Sequence, residues 1–248
     1  MHTSELQAYD IQYQFQLAGG REVKFNLSLD PGNFQIQPGF KGELPHWTLL
    51  EFHKCRNCPL EPGTVARCPA AVSMAGIVEC FDEVVACGRA TVIATTCERR
   101  VSAETTIQGG ISSLVGLLMA TSGCPLTSFF KPMARFHLPF ASTQETLWRA
   151  ASAYLLAQYF KYREGEDPDL DFEGLRRIYG DIQTVNLSFA ERLRAVCRNN
   201  YIVNAVLLLD TFAQAMPSAL AGSLQEISRF FIPYLGRHST SCSISAGR

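Results

Sequence analysis

Ile11-Gln12-Tyr13-Gln14-Phe15-Gln16-Leu17, then Ala18-Gly19-Gly20-Arg21, then Val23-Lys24-Phe25-Asn26-Leu27-Ser28-Leu29 is the stretch that decides the fold class. Tyr13, Phe15 and Leu17 fall on one face of an extended chain, and Val23, Phe25, Leu27 and Leu29 do the same after a glycine-rich turn. This period of two predicts a β-hairpin. Pro31-Gly32-Asn33 then turns the chain into an expected short third strand at 34–37, closed by Pro38-Gly39. Residues 90–96 and 101–107 are rich in Val, Ile and Thr and form a second expected hairpin, turning at Glu98-Arg99-Arg100.

Elsewhere the pattern is helical. Pro69 opens an expected helix over 69–81. Residues 111–121 carry no charge and run to Gly123, a residue suited to the end of a buried helix. Ser142-Thr143-Gln144-Glu145 is a capping box and starts a helix over 143–162 that is apolar nearly all round. It is expected to be the buried central element, with Arg149 paired to Glu145 one turn away. Leu175, Ile178, Ile182, Val185, Phe189, Leu193 and Val196 recur at threes and fours, an amphipathic helix. Helices over 201–216 and 217–235 follow, split at Pro217.

Strands come first and helices later, which predicts α+β: antiparallel hairpins, a cysteine-rich α/β core and a C-terminal helical region. The expected organisation is a hairpin region over 1–45, a cysteine-bearing core over 46–163 and a helical region over 164–235. A disordered tail at 236–248 closes the chain. The polar stretch 164–171 is the expected linker.

Composition narrows the function classes. Hydrophobic residues make up 47% and charged residues 18%, a packed protein rather than a disordered one. A net charge of −1 offers no field for a phosphate backbone, so nucleic acid is not an expected partner. The uncharged run 111–120 is about half a membrane span, so no membrane insertion is expected. Met1-His2-Thr3-Ser4-Glu5 lacks the basic start and apolar run of a signal peptide. Nine cysteines in such a chain point to a reducing cytoplasm rather than a disulfide framework. An unknown protein partner stays possible, and the oligomeric state is not indicated.

The cysteines carry the chemistry. Cys58-Pro59, Cys68-Pro69 and Cys124-Pro125 each place a cysteine directly before proline, and Cys55-Arg56-Asn57-Cys58 is a Cys-x-x-Cys knuckle. A two-residue spacer lets two soft thiolates reach one metal from a tight turn. Proline after cysteine suits the first helical position, so the sulfur falls where backbone N–H groups favour a thiolate. Cys55, Cys58, Cys68 and Cys124 can complete a tetrathiolate shell for zinc or equally for an iron–sulfur cluster. His53 and His137 are the rivals of Cys124 for the fourth position. Cys80, Cys87, Cys97 and Cys197 read as core filling, and Cys242 as a tail residue that is either inert or an oxidation liability.

Lys131 to Pro139 concentrates Arg135 and His137 in a stiff loop. Arg135 could hold an anion there while His137 acts as acid, base or ligand; a structural loop with internal hydrogen bonds explains the same residues. There is no Gly-x-Ser-x-Gly, no His-Glu-x-x-His and no dinucleotide fingerprint.

Over about residues 47–160, the motifs Cys55-x-x-Cys58-Pro59, Cys68-Pro69, Ser122-Gly123-Cys124-Pro125 and Pro132-Met133-Ala134-Arg135-Phe136-His137-Leu138-Pro139, with the helix after Glu145, resemble an uncharacterised bacterial protein family. The resemblance implies that these segments form one unit in a bacterial cytoplasmic protein. It brings no activity, cofactor or catalytic residue. The expected function is a metal-binding protein with a structural or redox-sensing role. An enzyme with a pocket at Arg135 and His137 beside the metal, and a metal-free interaction module, are the alternatives.

Overall fold

The computed structural model describes residues 9–37, 42–82 and 88–236. Pro38, Gly39, Cys87, Cys242 and the expected tail beyond Gly236 lie outside them. The architecture is α+β. Strands β1 (Tyr9–Gln16) and β2 (Glu22–Leu29) form the first hairpin, and β3 (Arg89–Thr96) and β4 (Arg100–Thr106) the second. They join in one antiparallel sheet of order β2-β1-β3-β4. Ile11, Tyr13 and Phe15 are buried on one face, as the alternation requires, and Val92 and Ala94 continue that face on β3. Each large apolar side chain fully buried there contributes roughly 1.5–3 kcal/mol.

Helix α1 (Pro69–Asp82) packs on this face through Phe81, whose ring lies 5.1 Å from that of Phe15 and 5.6 Å from that of Phe25. Helix α2 (Ile107–Thr121) begins earlier than the uncharged run suggests, because the Thr106 hydroxyl accepts from the Gly109 N–H at 3.0 Å and caps it. Gly110 lets α2 approach the sheet. A Cβ there would lie 2.7 Å from Val92 Cγ2 and 2.8 Å from Phe15 Cε1.

The short α3 (Lys131–Arg135) leads to α4 (Thr143–Arg163), which starts with the expected capping box: Glu145 accepts from the Ser142 N–H at 2.8 Å. Helices α5 (Glu173–Arg194) and α6 (Tyr201–Ala221) form the C-terminal pair, and α7 (Ser223–Ile227) follows. Asp169 ties the α4–α5 connection, accepting from Tyr154 Oη at 2.7 Å and from the Gly174 N–H at 2.6 Å.

Several expectations are corrected. The third strand is only a bridge between Ile36 and Leu29, since Asp30 Oδ1 accepts from the N–H groups of Gly32 and Asn33 and winds the chain into a turn. Helix α4 is not central. It buries Leu147, Ala150, Ala151 and Gln158 but leaves Trp148, Leu156, Phe160 and Tyr162 exposed. An apolar composition all round says that a helix can be covered, not that neighbours exist to cover it. Pro217 does not split α6. The Ala213 carbonyl that loses its helical donor to the proline accepts instead from Gln183 Nε2 at 3.2 Å. By length and apolarity Tyr201–Leu220 could cross a membrane; here it is the helix on which α2 and α5 pack. Cys97 is exposed at the β3–β4 turn rather than filling the core, whereas Cys80 and Cys197 pack against the core.

Candidate functional site

The segment that carries the knuckle is held by backbone pairing. Leu50 donates its N–H to Ala66 O at 3.0 Å and Cys68 donates to Thr48 O at 2.8 Å, so residues 48–50 run against 66–68. Within the knuckle, the Cys58 N–H bonds Cys55 O at 3.0 Å and closes the tight turn that the spacing predicts. Cys68 sits directly before α1, with Pro69 as the first helical residue and the N–H groups of Ala71 and Ala70 directed at its sulfur. Cys124 comes off the end of α2 through Gly123, which adopts φ +88°. It is fixed by its N–H to Ser122 Oγ at 3.2 Å.

Cys68 and Cys124 are buried; Cys55 and Cys58 are half-buried. Burial above all, and then the neighbouring Cys68, Cys58 and Cys124, push the Cys55 thiol up to about 12. Cys68, Cys58 and Cys124 thus each bear on the ionisation of Cys55. Burial also raises Cys68, outweighing the helix-terminal N–H groups that would favour its thiolate. Among the described residues no three His, Cys, Asp or Glu side chains are drawn together as a metal shell. His53 is exposed, its ring edge-on to Phe52 at 4.9 Å.

A residue that the sequence does not single out joins this group. Arg192, on α5, is only 1% exposed. Its Nη1 donates to Trp47 O at 2.6 Å and Leu49 O at 2.8 Å, and its Nη2 to Leu50 O at 3.3 Å. These carbonyls flank the one that accepts from Cys68. Cys68, Cys55 and Cys58 are the groups whose charge would favour its guanidinium, and among the described residues no carboxylate pairs with it. One signal was available: position 192 continues the stripe Ile182, Val185, Phe189 at helical spacing.

The loop at 131–139 divides its two candidate residues. Arg135 turns outward, its guanidinium 4.5 Å above the Tyr9 ring and 3.5 Å from Glu98 Oε1. His137 turns inward, its Nε2 2.5 Å from Tyr13 Oη, which also meets Ser113 Oγ at 2.9 Å. Burial, and then the charge of Arg149, lower the His137 pKa to about 3, so the ring is neutral. His137 lines a cavity of about 390 Å³ between α2, the 130–141 segment and the α5–α6 pair. Arg149 lines it too, and Arg149 rather than Arg135 is its cation. Arg149 Nη2 donates to Met133 O and, at 3.2 Å, to Phe136 O, not to Glu145, which is engaged in the cap.

A family model described as a domain of unknown function, DUF6901, matches residues 11–232, and the chain belongs to that family. No curated protein and no solved structure matches it.

Proposed function

We propose that the protein holds one metal centre, zinc or an iron–sulfur cluster, through Cys55, Cys58, Cys68 and Cys124, in a structural or redox-sensing role in the bacterial cytoplasm. Arg192 is the observation that carries the reading. A buried guanidinium is costly without a compensating negative charge, and carbonyls supply only partial charges. Four neutral thiols would leave the cation uncompensated. Four thiolates around Zn²⁺ carry a net charge of about −2, which the guanidinium offsets, and the geometry of a tetrathiolate suits either zinc or a cluster. The order of assembly fits as well: two sulfurs from one knuckle, one from the start of α1, one from the end of α2. Cys55, Cys58, Cys68, Cys97 and Cys124 are free thiols, in keeping with a reducing compartment.

The test is anaerobic purification, a visible spectrum, metal analysis and Co²⁺ titration of the stripped protein. Near-stoichiometric metal, with thiolate-to-Co²⁺ charge-transfer absorption, is expected. Cys124→Ser should lower metal content and stability together, since structural metal binding is coupled to folding; Cys97→Ser should change neither. A protein that neither retains nor takes up metal would refute the centre. Unchanged metal in Cys124→Ser, with loss in His137→Ala, would move the fourth ligand to the histidine.

A further inference from the structure

The cavity beside His137 has no part in the thiol group. Its walls are apolar over most of their extent, with Leu117 from α2, Phe130 and Met133 from the segment before α4, Ile182 from α5, and Leu209 and Phe212 from α6. At about 390 Å³ it is of the size that encloses a small organic molecule.

Polar groups within it have donors to spare. Arg149 uses Nη2 on the carbonyls of Met133 and Phe136, while its Nη1 and Nε have no hydrogen-bond partner among the described residues. Asn186 is 2% exposed, lines the cavity, and leaves its Nδ2 without a partner. An amide left unsatisfied at that depth is destabilising unless something accepts from it. Tyr179, 5% exposed, lines the cavity near the Arg149 charge. Among the described residues no carboxylate lines the space, and Arg149 is its single Lys or Arg.

We propose that this cavity is a binding site for an amphipathic monocarboxylate, with the acid group on Arg149 and Asn186 and an apolar chain or ring among Leu117, Met133, Ile182 and Phe212. A guanidinium presents parallel N–H donors that match a carboxylate, and one cation balances one negative charge. A phosphate monoester would bring more charge than the lining offsets. The apolar walls supply affinity; the guanidinium and the amide fix the orientation.

Isothermal titration of the full-length protein with decanoate and decanol at neutral pH tests this. Decanoate should bind at least about tenfold more tightly than decanol, since the alcohol leaves the guanidinium and the amide unmatched. Arg149→Gln should bring acid and alcohol to parity, and Asn186→Leu should weaken decanoate by a few-fold. Because Arg149 also holds the segment at Met133 and Phe136, Ile182→Trp serves as a second variant: it fills the apolar end, keeps Arg149, and should abolish decanoate binding. Equal affinities for acid and alcohol, no decanoate binding at about 1 mM, or full decanoate binding by Ile182→Trp would each overturn the proposal.

Discussion

Replacing Arg192 by methionine keeps most of the buried volume and removes every donor. Three carbonyls, Trp47 O, Leu49 O and Leu50 O, then lose their partner. The bonds to Trp47 O and Leu50 O are buried, so water does not reach those two oxygens without opening the segment, whereas the bond to Leu49 O is part-buried. An orphaned buried acceptor costs about 1–3 kcal/mol, or about 2–6 kcal/mol for the two. Relief from burying a guanidinium offsets part of the upper end, so the expected loss is about 3 kcal/mol. Arg192→Lys should be milder. Trp47 O and Leu49 O share one nitrogen, which an ammonium can imitate, while the bond to Leu50 O is lost, for about 1 kcal/mol. Equilibrium urea unfolding monitored by circular dichroism reads both, and at a slope of about 3 kcal/mol per molar the methionine variant should lose about 1 M in midpoint. A loss below about 0.5 kcal/mol in Arg192→Met, at the level of ordinary surface substitutions, would refute the view that the guanidinium holds this segment together.

Acidification should expose His137. Its folded pKa lies below the usual value of 6.5, so the fold favours the neutral ring. The stability this provides is complete above pH 6.5 and is lost as pH falls toward the folded value of about 3, amounting to about 2 kcal/mol by pH 5. His137→Gln should flatten that part of the urea-midpoint profile, and an unchanged profile would count against a buried neutral ring. Gly110→Ala should lower the melting temperature through overpacking of about 1–3 kcal/mol against Val92 and Phe15, read by calorimetry; a neutral result would mean that α2 can lift from the sheet. Ser142→Ala should cost about 1 kcal/mol through loss of the α4 cap, visible in the same unfolding assay, and no change would mean that Glu145 alone holds that end.

What could be read from the chain was what local periodicity determines. The two hairpins follow from alternation at Ile11–Leu29 and from Val, Ile and Thr after Ala90, and the α4 start follows from Ser142 and Glu145. That β1 pairs with β3 was not legible, because nothing near Phe15 specifies Val92 as its neighbour. The same limit applies to helix placement. The apolar face of α4 looks like a core helix in isolation, and Pro217 looks like a break until Gln183 supplies the missing donor. In the candidate site, the cysteine spacing was visible and its neighbours were not. Arg192 emerges only from its burial and its three carbonyl partners, which lie more than 140 residues away in sequence. The cavity is assembled from α2, α5, α6 and the loop at His137, and Asn186 becomes remarkable only through its burial and unpartnered amide.

The position of β1 in the middle of the sheet has a consequence for biosynthesis. The first hairpin leaves the ribosome with one edge of β1 unpaired and Tyr13 and Phe15 uncovered, and both stay so while the cysteine segment and α1 are made. The carbonyls of Trp47, Leu49 and Leu50 wait longer still, until α5 delivers Arg192. Pairings this distant in sequence slow folding, and an open strand edge with an apolar face is what chaperones hold and what aggregates when they do not. A chain truncated before α5 is therefore expected to be the species that nascent-chain quality control meets most often.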